Sequence, residues 1–204
     1  MTGQLQQNHD PSARVRALLI AVDTGEYDAE TSLGELSELA DTAGAEVAAT
    51  MIQRRDTPDP ATCIGAGRLA EAELTCKNLG IELVIFDVEL TGSQTANIEE
   101  TLGVRVIDRT TLILDIFAQR ARSAEGRLQV ELAQQKYRLP RLTGKGTALS
   151  RLGGGIGTRG PGESKLETDR RHIRRRINAL EQQLADLTRR RELMRSRRRK
   201  DQLT

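Results

Sequence analysis

The sequence predicts an α/β domain on a parallel four-stranded sheet flanked by helices, followed by a long antiparallel, coiled-coil-like α-helical hairpin. Three observations lead there. Between residues 14 and 121, four short apolar runs alternate with four helical patterns. The runs are too continuously apolar to leave one face in water, as in a parallel sheet covered by helices on both sides. Past residue 122 the apolar spacing changes to alternating steps of four and three, and a glycine-rich stretch divides that region in two.

Taken in order, residues 1–13 are polar, include Pro11, and predict a disordered tail. "RVRALLIAV" is the first strand, with an apolar stretch from Ala17 to Val22 that is too short for a signal peptide and runs into Asp23. "SLGELSELADTAG" places leucines at 33, 36 and 39 and closes on Gly44, which predicts a helix and its C-cap. "AEVAATMIQ" is the second strand, and a loop with Pro58 and Pro60 leads to "GRLAEAELTCKNLG", a helix ending at Gly80. "IELVIFDV" is the third strand, "TANIEETLG" the next helix, "VRVID" the fourth strand and "TTLILDIFAQRA" the helix that completes a domain over 14–121.

The region 122–204 predicts the hairpin. Its first segment, Arg122 to Leu142, carries Leu128, Leu132, Leu139 and Leu142, with Gln135 between them. Its second, a helix from about Lys165 to Arg199 and about 50 Å long at 1.5 Å per residue, carries Ile173, Ile177, Leu180, Leu184, Leu187 and Met194 as an a/d seam. The connecting loop spans about 143–163, and two such helices bury each other's seams.

Composition narrows the function classes. Hydrophobic residues are 37% and charged residues 29%, and no apolar run approaches the ~18 residues that span a bilayer, so a cytoplasmic protein with no membrane span is expected. Cys63 and Cys76 form no C-x-x-C pair and His9 and His172 lie far apart, which argues against a disulfide framework or a zinc site. The net charge of +2 hides a split: residues 141–204 carry +11 and residues 1–140 carry −9. Such asymmetry, with runs such as "RRHIRRR" and "RSRRRK", points to a polyanionic partner for the hairpin.

The loop holds Gly155-Ile-Gly157-Thr-Arg-Gly160, a literal G-x-G-x-x-G. A dinucleotide fingerprint must follow a buried strand, and here "ELAQQKYRLPRL" precedes it. No G-x-x-x-x-G-K-[ST] occurs, since Lys145 of "TGKGT" lacks both the upstream glycine and the trailing hydroxyl. The end of the loop is more specific: Ser164 and Glu167 have the spacing of a capping box that starts the second helix, helped by Glu163 and Asp169 near its positive end. The loop itself, with Gly144, Gly146, Gly153, Gly154, Gly155, Gly157, Gly160, Pro161 and Gly162, is thin and cationic, suited to a crevice lined with phosphates. Candidate RNA contacts are Arg151, Arg159, Lys165, Arg170, Arg171, Arg174 and Arg175. Only Tyr27, Tyr137, Phe86 and Phe117 are aromatic, so recognition should be of backbone and shape, not base stacking. An alternative class is a nucleotide site (ATP or GTP) at the carboxyl ends of the strands, where "CIGAGRL" from Cys63 to Leu69 presents amides at a helix start.

At "SRLGGGIGTRGPGESKLETDRRHIRRRI" the sequence resembles the HflX family of translational GTPases, through Gly153, Gly154, Gly155, Gly157, Arg159, Gly160, Pro161, Gly162, Glu163, Leu166, Glu167, Asp169, Arg170 and Arg171. "EGRLQVELAQQKYRLPRL" and "CIGAGRLAE" also look like segments of that family. The resemblance implies docking on the large (50S) ribosomal subunit and its rRNA, with the hairpin loop reaching toward the peptidyl-transferase centre. It also implies ribosome splitting under stress or antibiotic exposure. GTP and Mg2+ would belong to a C-terminal G domain. That domain needs a P-loop and a base-recognition motif, which are not present up to Thr204. The expectation is therefore an N-terminal fragment that performs no chemistry alone, with no cofactor, catalytic residue or metal site of its own. A further alternative is autoregulation of the G domain by the hairpin.

Overall fold

The computed structural model describes residues 14–143 and 165–201. Four strands, β1 (Val15–Asp23), β2 (Ala45–Arg54), β3 (Leu83–Phe86) and β4 (Arg105–Asp108), form one parallel sheet in the order β2-β1-β3-β4. The central strand β1 is buried from Ala17 to Val22 without a break. Its side chains alternate between two cores: Leu18, Ile20 and Val22 join Val84, Phe86 and Val106 on one face, and Ala17, Leu19 and Ala21 join Leu83, Ile85 and Ile107 on the other. That two-sided burial is why the strand lacks polar alternation.

Helices α1 (Ala29–Thr42) and α4 (Arg109–Arg120) cover the second face, through Leu33, Leu36, Leu112 and Ile116. Helices α2 (Ala66–Leu79) and α3 (Gly92–Leu102) cover the first, through Leu69, Cys76, Ile98 and Leu102. Local chemistry sets their ends. Asp28 caps α1 by accepting from the amides of Glu30 and Thr31, so this helix starts three residues before the expected Ser32. Thr91 and Gln94 form a reciprocal capping box that starts α3. Gly80 and Gly103 close α2 and α3 in the left-handed conformation, at φ +59° and +68°.

Helix α5 (Ala124–Arg138), capped by Ser123, is shorter than the expected segment to Leu142. Pro140, which has no amide hydrogen to continue the ladder, sits in a 3-10 turn over Leu139–Arg141. Helix α6 (Lys165–Asp201) has 37 residues, about 55 Å, and so outruns the 15 residues of α5 by more than half its length. Ion pairs join Glu125 to Arg191 and Lys136 to Glu181, an order in which α6 runs against α5. In α6 the expected seam is buried at Ile173, Ile177 and Leu180, half-buried at Leu184 and Leu187, and exposed at Met194, where α5 has already ended. In α5 no residue is fully buried. The expected disordered tail at 1–13 and the loop glycines lie outside the described residues.

The hairpin is fastened to the sheet at the carboxyl end of β4. The Tyr137 hydroxyl donates to Asp108 at 2.5 Å, and Asp108 also accepts from the amides of Leu90 and Thr111. Arg141 lies over the Tyr137 ring, 3.4 Å from its centroid, and donates to the Leu90 carbonyl and to Glu89. Gly92 lets the turn come in close: a Cβ there would stand 1.8 Å from the Arg141 carbonyl oxygen. A cavity of about 680 Å³ runs beside this joint, along the free edge of β4 and under α5.

Candidate nucleic-acid interface

The first turns of α6 separate charge from apolar surface. At 100° per residue, Ile173, Ile177, Leu180 and Leu184 share one stripe, and Arg171, Arg174 and Arg175 fall on the other side. Arg174 and Arg175 are exposed and Arg170 and Arg171 are half-buried. Lys165 is exposed at the first residue of the helix. Arg174 stands 3.7 Å from Glu167, a contact that leaves its side chain 60% exposed. The neighbouring Arg176 differs, since it donates to both oxygens of Glu131 on α5 at 2.6 and 2.8 Å. It clamps the two helices. The structure thus brings Lys165, Arg170, Arg171, Arg174 and Arg175 together within three turns of one helix. Arg151, Arg159, Gly153, Gly154, Gly155, Gly157, Gly160, Pro161, Gly162 and Ser164 lie outside the described residues, so the capping box is described only at Glu167.

Tyr137, the aromatic residue of the hairpin, is engaged by Asp108 on its hydroxyl and by Arg141 on its face. Burial first, and the hydrogen bond to Asp108 second, raise its pKa well above the usual phenol range. It is a structural joint, not a stacking platform. Sequence reasoning does not group the residues that form this joint. Their one local signal is "DRTT", Asp108 followed three positions later by the Thr111 that it caps.

The carboxyl edge of the sheet, the alternative site for a nucleotide, is acidic. Asp23, Asp87 and Asp108 stand at the ends of β1, β3 and β4. The Asp87 side chain is fully buried, and its Oδ1 accepts from Arg109 at 2.8 Å. Its Oδ2 has no hydrogen-bond partner. Arg109 is also held by Glu35 at 2.7 Å, so its charge is balanced on two sides. At "CIGAGRL" the amide of Gly65 donates to Gln53 at 2.8 Å, and the Arg55 guanidinium lies against the Cα of Gly65. Carboxylates disfavour phosphate at the ends of β1, β3 and β4, while Arg54 and Arg55 lie at the end of β2 beside the start of α2. Among the described residues, no cluster of His, Cys, Asp and Glu could hold a metal ion, and no helix is long and apolar enough to cross a membrane.

Residues 30–118 match the family described as GTP-binding GTPase N-terminal, and residues 120–198 match GTP-binding GTPase Middle Region. The chain is 58% identical over 188 residues to the GTPase HflX of Caldanaerobacter subterraneus subsp. tengcongensis, covering 92% of this chain and 44% of that protein. It is 46% identical over 160 residues to the GTPase HflX of Escherichia coli, covering 78% of this chain and 38% of that protein. A crystal structure of SsGBP in complex with GDP superposes with a TM-score of 0.62 at 26% identity, over 87% of this chain and 45% of the other. The chain spans less than half the length of these relatives. On these matches it belongs to the HflX family, of which it carries the N-terminal and middle regions.

Proposed function

We propose that the chain is the ribosome-binding module of an HflX-type GTPase, docking on the large (50S) subunit and its rRNA in the cytoplasm. The loop between α5 and α6 would reach toward the peptidyl-transferase centre and help split or rescue ribosomes under stress. The module makes and breaks no bond. It acts by inserting bulk and neutralising phosphates, and GTP with Mg2+ would act in the C-terminal G domain of the longer relatives. The observation that carries this reading is the cationic face of α6, where Arg171, Arg174 and Arg175 turn away from the seam next to the glycine-rich segment.

The test is binding of the chain to purified large subunits across a salt series. Changing Arg171, Arg174 and Arg175 to Ala should lower the slope of log K against log salt by about one for each phosphate no longer neutralised. Salt-insensitive binding, or the same slope in wild type and variant, overturns the reading. A second reading, control of the G domain by the hairpin, is favoured by Leu193 and Met194, which are 55% and 60% exposed on the unaccompanied end of α6. The GTPase rate of a full-length relative, with and without the region equivalent to this chain, measured free of ribosomes, separates the two.

A further inference from the structure

Beyond the start of α5, the stripe of α6 that faced it changes chemistry. Ile173, Ile177, Leu180, Leu184 and Leu187 are followed, on the same helical face, by Arg191, Arg195 and Arg198, with Met194 as the one apolar residue left among them. Arg191 is fixed by an ion pair to Glu125 in the first turn of α5. That contact fixes the stripe to the first turn of α5, which the basic α4–α5 connection precedes. Arg120 and Arg122 are exposed there, and the Arg127 guanidinium donates to the carbonyls of Ala121 and Arg122. The amino end of α5, with its partial positive charge, points into the same region. Arg120, Arg122 and Arg127 around the start of α5 and Arg191, Arg195 and Arg198 in the last turns of α6 thus belong to the end of the hairpin remote from the glycine-rich segment, where the Arg191–Glu125 pair ties the two helices.

We infer that this cluster is a second polyanion contact, which takes the phosphate backbone of a folded RNA. The inference rests on the RNA-docking reading above and extends it. The two cationic patches are joined by one continuous helix. From Arg175 to Arg195 is 20 residues, about 30 Å of rise. The first patch turns away from the seam and the second continues it, so the two face different sides of the helix, and the partner that meets both is an RNA folded stiffly around it. A flexible single strand would gain less, because it has to be ordered first. Charge chooses the partner: arginines outnumber the two exposed apolar residues here, Leu193 and Met194, and no aromatic residue accompanies them, which suits phosphate and shape.

The experiment uses this chain and an RNA duplex of about 16 base pairs, the span that a double-stranded RNA-binding domain covers. Anisotropy gives the affinity from about 50 to about 200 mM KCl. Three variants are compared: Arg120, Arg122, Arg195 and Arg198 to Ala; Arg171, Arg174 and Arg175 to Ala; and Arg54 with Lys77 to Ala, two exposed cations on the α/β body. All these side chains lie at the surface or nearly so, and circular dichroism verifies that each variant is folded. The inference expects the first set to lower the salt slope by about 2 or more, and the body pair to leave it unchanged. If the first set binds as wild type while the second is weakened, the second contact is refuted and the docking reading stands. If neither set changes the slope, both fall. If the body pair weakens binding as much as the first set, only total charge matters and the patch is refuted. The patch is refuted too if the first set leaves RNA binding intact but alters the GTPase rate of a full-length relative, because it then faces protein.

Discussion

Replacing Tyr137 by Phe removes one oxygen atom and tests how the hairpin is held to the sheet. The hydroxyl donates to Asp108 Oδ2 at 2.5 Å, and that oxygen otherwise accepts only the Leu90 amide, at 3.1 Å. Asp108 Oδ1 is served separately by the Thr111 amide and hydroxyl, at 2.9 and 2.7 Å. Asp108 is 4% exposed, so water cannot freely replace the lost donor. A hydrogen bond to a charged group contributes about 1.5 to 3 kcal/mol, while the ring and the Arg141 guanidinium above it remain. The variant should therefore lose about 1.5 to 3 kcal/mol. With about 1 to 3 kcal/mol per molar urea, its midpoint falls by about 1 M. Amide exchange along α5 should quicken more than exchange in β1, because the loss lies at the joint. The pH dependence adds a sign. Burial and the Asp108 bond raise the phenol pKa in the folded state, so this stabilisation is complete below the ordinary value near 10 and is lost as pH rises beyond it. The difference between wild type and variant should narrow there. A loss below about 0.5 kcal/mol, with α5 exchange unchanged, would refute the account of the joint.

Two further outcomes follow from burial. Leu180 is 0% exposed beneath a helix with no fully buried residue of its own, so Leu180→Ala should cost about 2 to 3 kcal/mol in urea unfolding, the low end for leucine because α5 can settle into the space. Burial first, then the Asp59 charge, pushes the Cys63 thiol up to about 11, and Cys76 is raised by burial. Both thiols should resist Ellman's reagent at about pH 8 in the folded chain and react on unfolding. Because the unfolded thiol ionises near pH 8.5, the Cys63 contribution to stability is intact below that and is lost as pH rises toward 11.

The α/β layer was legible because each β1 residue from Ala17 to Val22 is apolar and buried, and because Gly80 and Gly103 mark helix ends by a conformation that only they adopt cheaply. The hairpin seam was legible in α6 at Ile173, Ile177 and Leu180, where α5 lies over it. It failed at Met194, because periodicity reports a face and says nothing of whether a partner is long enough to cover it. The first hairpin helix reads four residues too long even with Pro140 in view: the leucine spacing continues through the 3-10 turn after the helix has stopped. The site was legible as a run of arginines, but not in its division of labour. Arg175 and Arg176 are adjacent and equivalent in sequence, yet only the three-dimensional position of Glu131 turns Arg176 into a clamp. The joint of Asp108, Tyr137 and Arg141 joins residues up to 33 positions apart, and no local pattern announces such a meeting.

That joint explains how so polar a hairpin stands at all. Helix α5 buries nothing completely, and α6 has three buried side chains among its described residues, so the apolar seam between the two helices is short. Isolated amphipathic helices of this composition would be marginal in water. What they have instead is a set of fixed points: Tyr137 and Arg141 on the end of β4, Gln134 on Asp115, and ion pairs from Arg176, Lys136 and Arg191 along the length. Each exposed pair is worth little by itself. Anchored to a packed sheet at one end, they need only choose a direction, not supply the folding energy. The acidic body supplies the energy and the basic arm supplies the charge, so the arginines can face outward without the apolar cover that an independent bundle would require. Removing the anchor should therefore cost the arm its orientation before it costs the chain its fold, and the separate exchange behaviour of α5 and β1 in Tyr137→Phe is where that order would be read.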